Sequence, residues 1–147
     1  MIELFDTYFI VLRKRPLIFL HWFHHLLTLY FTWYQYPALN SFTRFGIFGN
    51  VTVHGFMYSY YFISTFGIKL PKFIAQSVTS LQLLQFAVNM WSLIHVTYLS
   101  AKFKDSCHVD MDVYAFSWFV DIVYIYLFTR FYLNSYIYKK KKTAKEE

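Results

Sequence analysis

The sequence predicts an all-α fold, a polytopic membrane helix bundle with about five helices, and three observations predict it. Of 147 residues, 57% are hydrophobic and 24% aromatic, with only 4 Gly and 3 Pro to interrupt them and a positive mean hydropathy. Four weakly charged stretches, 16–39, 42–66, 73–99 and 112–138, approach or exceed the roughly 20 residues that cross a hydrocarbon core, and a shorter one opens the chain. The runs lack the alternation over about 10 residues that marks lipid-facing barrel strands.

The opening stretch carries Glu3 and Asp6, is followed by its basic residues, and ends in no small-residue cleavage site, so it does not read as a secretory signal peptide. Arg13, Lys14 and Arg15 separate it from the second stretch, which begins at Pro16 and contains His21-Trp22-Phe23-His24-His25. The third carries Asn50, His54, Tyr58 and Tyr61 at steps of 4, 4 and 3. Lys69 and Lys72 precede the fourth, in which Gln82, Gln85, Asn89 and Ser92 follow steps of 3, 4 and 3. Both sets form stripes on one helical face. The last stretch holds Asp121 and Arg130, nine residues apart, too far for an i, i+4 pair, so each is expected to pair with another helix.

A net charge of +6 raises nucleic acid as a partner, but its distribution excludes that class. Lys139, Lys140, Lys141, Lys142 and Lys145 form a basic tail, 139–147, after the membrane domain 1–138. The positive-inside rule holds this tail in the cytosol. Counting back, Lys69 and Lys72, then Arg13, Lys14 and Arg15, also fall on the cytosolic side, leaving only Arg44, Lys102 and Lys104 opposite. The single cysteine, Cys107, then lies in a non-cytosolic loop, either as a free thiol or paired with a cysteine outside this chain.

Depth follows from the helical rise of about 1.5 Å per residue. Asp6 falls roughly 10 Å and His24 about 12 Å from the cytosolic side, His54 about 20 Å with Asn50 one turn deeper, and Gln82 and Gln85 about 14–18 Å. The strongest polar groups of different helices thus gather in one slab. For the amides, interhelical hydrogen bonding is the plain alternative; for the tyrosines it is aromatic packing. Three imidazoles on one turn of a membrane helix point instead to chemistry.

Two chemistries compete. Imidazole is a good ligand for iron, and membrane desaturases and hydroxylases use similar histidine boxes. Yet the chain has six histidines, and His95 and His108 lie toward the opposite side, leaving few ligands for two ions. A neutral buried imidazole is alternatively a nucleophile or general base. Asn50, Gln82 and Gln85 supply N–H donors for an oxyanion without adding titratable charge. A non-catalytic membrane subunit is a third reading.

Four motifs carry a resemblance: Glu3-Leu4-Phe5-Asp6-Thr7; Leu12-Arg13-Lys14 with Phe19-Leu20-His21-Trp22-Phe23-His24-His25; Asn50 and His54 with Met57-Tyr58-Ser59-Tyr60-Tyr61; and Thr79-Ser80-Leu81-Gln82-Leu83-Leu84-Gln85. In this order they resemble the ELO family of fatty-acid elongases across essentially the whole chain. The resemblance implies a seven-helix architecture whose third-helix motif lies at this chain's start, so that the sequence reads as N-terminally truncated. It implies a condensing enzyme that joins a long-chain acyl-CoA to malonyl-CoA, with no cofactor and no metal, in the endoplasmic reticulum membrane. Other elongation-cycle enzymes would be its partners. Lys145, third from the end without a lysine at the fourth or fifth position, is an imperfect retrieval signal.

Carried onto this chain, the resemblance makes His24 the acyl acceptor and His54 the second imidazole, with His21 and His25 completing the box. Asp6 and Asn50 would position the rings or the malonyl unit. Gln82 would meet the thioester oxygen, Gln85, Tyr58 and Tyr61 would line the substrate site, and Arg13 and Lys14 would meet CoA phosphates. The segment Arg15-Pro16-Leu17-Ile18-Phe19-Leu20-His21-Trp22 looks most like the branch that extends saturated and monounsaturated chains.

Overall fold

A computed structural model describes residues 4–138 except 13, 15, 39, 69 and 103–108; within its helices the side chains of residues 4–6, 9 and 41 are also not described. Among the described residues five helices follow one another: α1 Leu4–Leu12, α2 Phe19–Gln35, α3 Ser41–Thr65, α4 Lys72–Lys102 and α5 Met111–Tyr132, the last continuing as a wider-turned segment, Leu133–Tyr138. Their spatial order differs from their chain order: α1 packs on α2, α2 on α5, α5 on α4, and α4 on α3.

Local chemistry explains the helix ends. Lys14 closes α1 with a left-handed φ of 51°, its N–H reaching the Val11 carbonyl at 3.0 Å. Ile18 is extended (φ −74°, ψ 144°), so α2 begins only at Phe19. Pro37 has no N–H with which to continue α2, and the chain tightens into the 3₁₀ turn Tyr36–Ala38. The helix expected over 16–39 is therefore 17 residues long. Gly67, at φ 76°, takes the left-handed position just past α3 that a side chain would disfavour.

At the opposite end of the bundle the starts of α3 and α5 are tied together. Asn40, only 1% exposed, accepts the Asp110 N–H through Oδ1 at 3.0 Å. Asp110 in turn caps α5, its Oδ1 accepting the N–H groups of Asp112 and Val113, both at 3.1 Å.

The distribution of side chains is inverted relative to a water-soluble core. Among the described residues nine polar ones are buried against eight hydrophobic ones, while Phe48 (72% exposed) and Trp91 (65%) sit on outer faces. Lipid solvates such faces, and buried polar groups join the helices. Gln76 donates to the Tyr132 hydroxyl at 2.7 Å, and Thr79 meets the Tyr136 hydroxyl at 3.2 Å, joining α4 to α5 and to its continuation Leu133–Tyr138. Met111–Tyr138 is long and apolar enough to cross a bilayer by length and composition. The bundle is the polytopic helical membrane fold that the sequence predicts.

Between α3 and α4 the contact is made by small residues. A side chain's first carbon at Gly49 would stand 3.7 Å from Gln85 Cγ, and at Gly46 3.9 Å from Asn89 Oδ1. Larger residues there would push α3 away from the amide stripe.

Candidate active site

The histidine box divides its three rings among three neighbours. His24, buried on α2, stacks on the buried His54 of α3 with ring centroids 6.1 Å apart and planes 17° from parallel. His21 turns toward α1, where its Nε2 lies 3.2 Å from Thr7 Oγ1, and it also meets the His25 ring at 4.4 Å. His25 lies against a large cavity. Among the described residues no group of three or more His, Cys, Asp or Glu is placed to hold a metal ion.

Two aromatic residues of α5 fix the His24 ring from the other side: Tyr124 at 4.7 Å and Phe128 at 5.6 Å between centroids. The Tyr124 hydroxyl has a single proton, which it donates to the His24 carbonyl at 3.1 Å. It therefore accepts the Thr28 hydroxyl at 2.7 Å. One side chain thus holds the His24 ring, the carbonyl of the same residue, and the next turn of α2. Sequence reasoning missed Tyr124, although Ser117, Asp121, Tyr124 and Phe128 repeat at 4, 3 and 4 and form a buried stripe like those noticed on α3 and α4.

A cavity of about 1090 Å³ runs between α2, α3, α4 and α5, from His25, Asn50, Gln85 and Tyr124 to Gln35 and Phe42 beside the α2–α3 connection. Of the amide stripe, Gln85, Asn89 and Ser92 lie on its wall. Gln82 is turned elsewhere and donates to Met57 Sδ at 3.5 Å. Tyr58 is half-buried with its ring edge-on to His54 at 5.7 Å. Tyr61 is 52% exposed on the outer surface, and Lys14 is exposed beyond α1. The side chain of Asp6, and Arg13, Cys107 and the tail 139–147, lie outside the described residues.

What the arrangement offers chemically is a stacked pair of imidazoles and, next to them through His25 and Tyr124, an apolar volume of about 1090 Å³ with the primary amides of Asn50 and Gln85 on its wall. Removing only the hydroxyl of Tyr124 tests the clamp. Tyr124→Phe keeps the ring on His24 but frees the His24 carbonyl and strands the Thr28 hydroxyl, at a cost of about 1–2 kcal/mol in placement of the ring. Turnover is expected to fall roughly tenfold with little change in KM; an unchanged kcat in steady-state kinetics would discard the clamp.

A multi-helix bundle with a buried histidine pair, and with His25, Asn50 and Tyr124 around that pair lining an apolar cavity, defines an integral membrane protein of the polytopic helical class. The chain belongs to the ELO (GNS1/SUR4) family, whose model matches residues 1–144. It is 46% identical over 140 residues to long chain fatty acid elongase 1 of Caenorhabditis elegans, covering 95% of this chain and 49% of that protein. It is 40% identical over 139 residues to very long chain fatty acid elongase 6 of Drosophila melanogaster, covering 92% and 43%. Against human very long chain fatty acid elongase 3 it is 39% identical over 145 residues, covering 96% and 52%. The chain spans about half the length of the curated relatives it matches. No solved structure matches it.

Proposed function

We propose that this chain carries the condensing chemistry of fatty-acid elongation, joining a long-chain acyl-CoA to malonyl-CoA. The observation that carries the reading is the His24–His54 stack, whose neighbours His25, Tyr124 and Asn50 line the apolar cavity. A ring nitrogen of neutral His24 attacks the thioester carbonyl; the C–S bond breaks, the acyl group passes to nitrogen, and the ring proton goes to the departing CoA thiolate. Malonyl-CoA then loses its free carboxylate as carbon dioxide. The electron pair left on carbon forms the new bond to the acyl carbonyl, and the imidazole leaves and regains a proton. The product is a 3-oxoacyl-CoA two carbons longer.

His54 shares the proton traffic of both steps through its contact with His24. Amide N–H groups of Asn50 and Gln85 face the volume where the carbonyl oxygen gains charge. Gln82 and Tyr58 shape the same end of the site, as do His21 and His25, while Asp6 positions the malonyl unit. Arg13 and Lys14 follow α1 at its cytosolic mouth, where CoA phosphates would wait. Tyr61 belongs to the entrance rather than the chemistry. The cavity takes the alkyl chain, of the saturated or monounsaturated class. Location in the endoplasmic reticulum, with the C-terminus cytosolic and the reducing and dehydrating enzymes of the cycle as neighbours, completes the proposal.

Membranes expressing the chain, supplied with labelled malonyl-CoA and acyl-CoAs of medium to long chain length, should yield labelled 3-oxoacyl-CoA above vector control. A well-expressed chain that yields none overturns the reading.

A further inference from the structure

The sequence predicts a partner on another helix for both polar groups of α5. Asp121 has one, since Asn89 of α4 hydrogen-bonds to it. Arg130 is exposed, and no described carboxyl group is placed to meet it: Asp121 lies nine residues back, about 13 Å along α5, and Asp110 and Asp112 stand at the far end of that helix. Nine residues are also about two and a half turns, so Arg130 projects from the face opposite Asp121, away from the cavity that Asp121 lines. A cation on the lipid-facing side of a membrane helix is costly, and such groups characteristically find a partner.

Around Arg130 the surface is a groove. Ile122, Tyr126, Arg130, Asn134 and Tyr138, at steps of four along α5 and its continuation, line one side of it, and Met90 of α4 lines the other. Its volume is about 620 Å³, within the range of small-ligand sites. Polarity is graded along it. The end at Ile122 and Met90 is apolar, whereas the end toward Tyr138 holds the guanidinium, the Asn134 amide and the Tyr138 hydroxyl, all exposed. Tyrosines at the end of a span mark the headgroup level of a bilayer. The long Arg130 stem can lift its charge toward that level while lying along apolar surface. By the distribution of basic residues this end of the bundle is the cytosolic one.

We propose that this groove docks one anionic phospholipid of the cytosolic leaflet, with its phosphate on Arg130 and an acyl chain laid between the α5 ridge and Met90. Charge complementarity decides the class. The groove offers one fixed cation, neutral polar groups and no described carboxylate, so it suits a headgroup of net negative charge better than one whose phosphate is offset by choline. The planar guanidinium matches phosphate oxygens bidentately. An acidic side chain of another protein would also match the guanidinium but would leave the apolar end unfilled. The site lies outside the proposed chemistry and does not rest on it.

The test is native mass spectrometry of the purified full chain from micelles holding equal amounts of phosphatidylserine and phosphatidylcholine. The chain is expected to retain phosphatidylserine preferentially, and Arg130→Gln should lower the retained ratio of the two lipids about fivefold, the worth of one basic side chain against an anionic headgroup. Ile122→Trp fills the groove and leaves the charge in place; it should lower the ratio too, and it decides the matter if Arg130→Gln does not fold. Lys72, an exposed cation at the same end of the bundle, is the control, and Lys72→Gln should leave the ratio unchanged. A ratio that either folded groove variant leaves unchanged overturns the site. So does an equal fall in Lys72→Gln, which would mean diffuse attraction to positive charge. Displacement of the lipid by glycerophosphoserine or by CoA at matching concentration also overturns it, because a phosphate without an acyl chain would then suffice.

Discussion

Replacing His24 with alanine is expected to abolish condensation, lowering product formation by roughly three orders of magnitude or more, the loss typical of removing a nucleophile. His25 lines the cavity and His21 is turned to Thr7, so neither ring is stacked on His54 as His24 is. His54→Ala should cost nearly as much, because the ring stacked on His24 that shares its proton traffic is lost. The double variant should be little worse than either single one, since residues acting as a unit are not additive. Two measurements check this. A product assay with labelled malonyl-CoA gives the rates, and mass spectrometry after exposure to acyl-CoA alone should find the acyl group on the peptide containing His24. An adduct that persists in His24→Ala, at His54 or elsewhere, would move the nucleophile and sink this assignment.

That the two rings meet was only partly legible in the sequence. Counting from Pro16 at helical rise put His24 about 8 Å shallower than His54, yet they stack. The discrepancy comes from Pro16–Ile18, which are not helical. Three such residues advance the chain about 3.3 Å each, and the correction brings His24 to roughly 18 Å, level with His54. Helix existence and order followed from apolar run length; what composition could not supply was where each helix starts.

The stripes were legible in azimuth and less so in level. Tyr61 is seven residues from His54 and so within about 20° of it around α3, but two turns further along, past the part of α3 that is covered. Gln82 is about 60° from Gln85 around α4, enough to carry its amide from the cavity to Met57. Tyr124 is illegible in the sequence for a different reason. On α5 a tyrosine among so many apolar and aromatic residues looks like packing, and only the pairing of α5 with α2, which are not consecutive in the chain, turns its hydroxyl into a clamp on His24.

The second large effect is expected from Phe86→Ala. Phe86 is 4% exposed on α4 and its ring meets Tyr124 at 5.3 Å and Phe128 at 5.1 Å, the same two rings that hold His24. With Val120 these residues form the buried apolar cluster of the bundle. Truncating a core Phe to Ala costs about 3–5 kcal/mol in water-soluble proteins. In a bilayer the hydrophobic share of that cost shrinks, because the unfolded helix is already in an apolar solvent, so lost dispersion contacts and the void itself remain. A loss of about 2–3 kcal/mol is therefore expected, with Phe86→Leu recovering more than half of it. Denaturant titration in mixed micelles, followed by helical circular dichroism, measures it. The functional consequence separates packing from chemistry: Phe86 does not touch the reacting atoms in the proposed mechanism, so surviving folded Phe86→Ala protein should still form the acyl adduct on His24, more slowly because Tyr124 and Phe128 have lost their backing. Stability equal to that of the parent chain would mean that the aromatic wall behind His24 is not what joins α4 to α5.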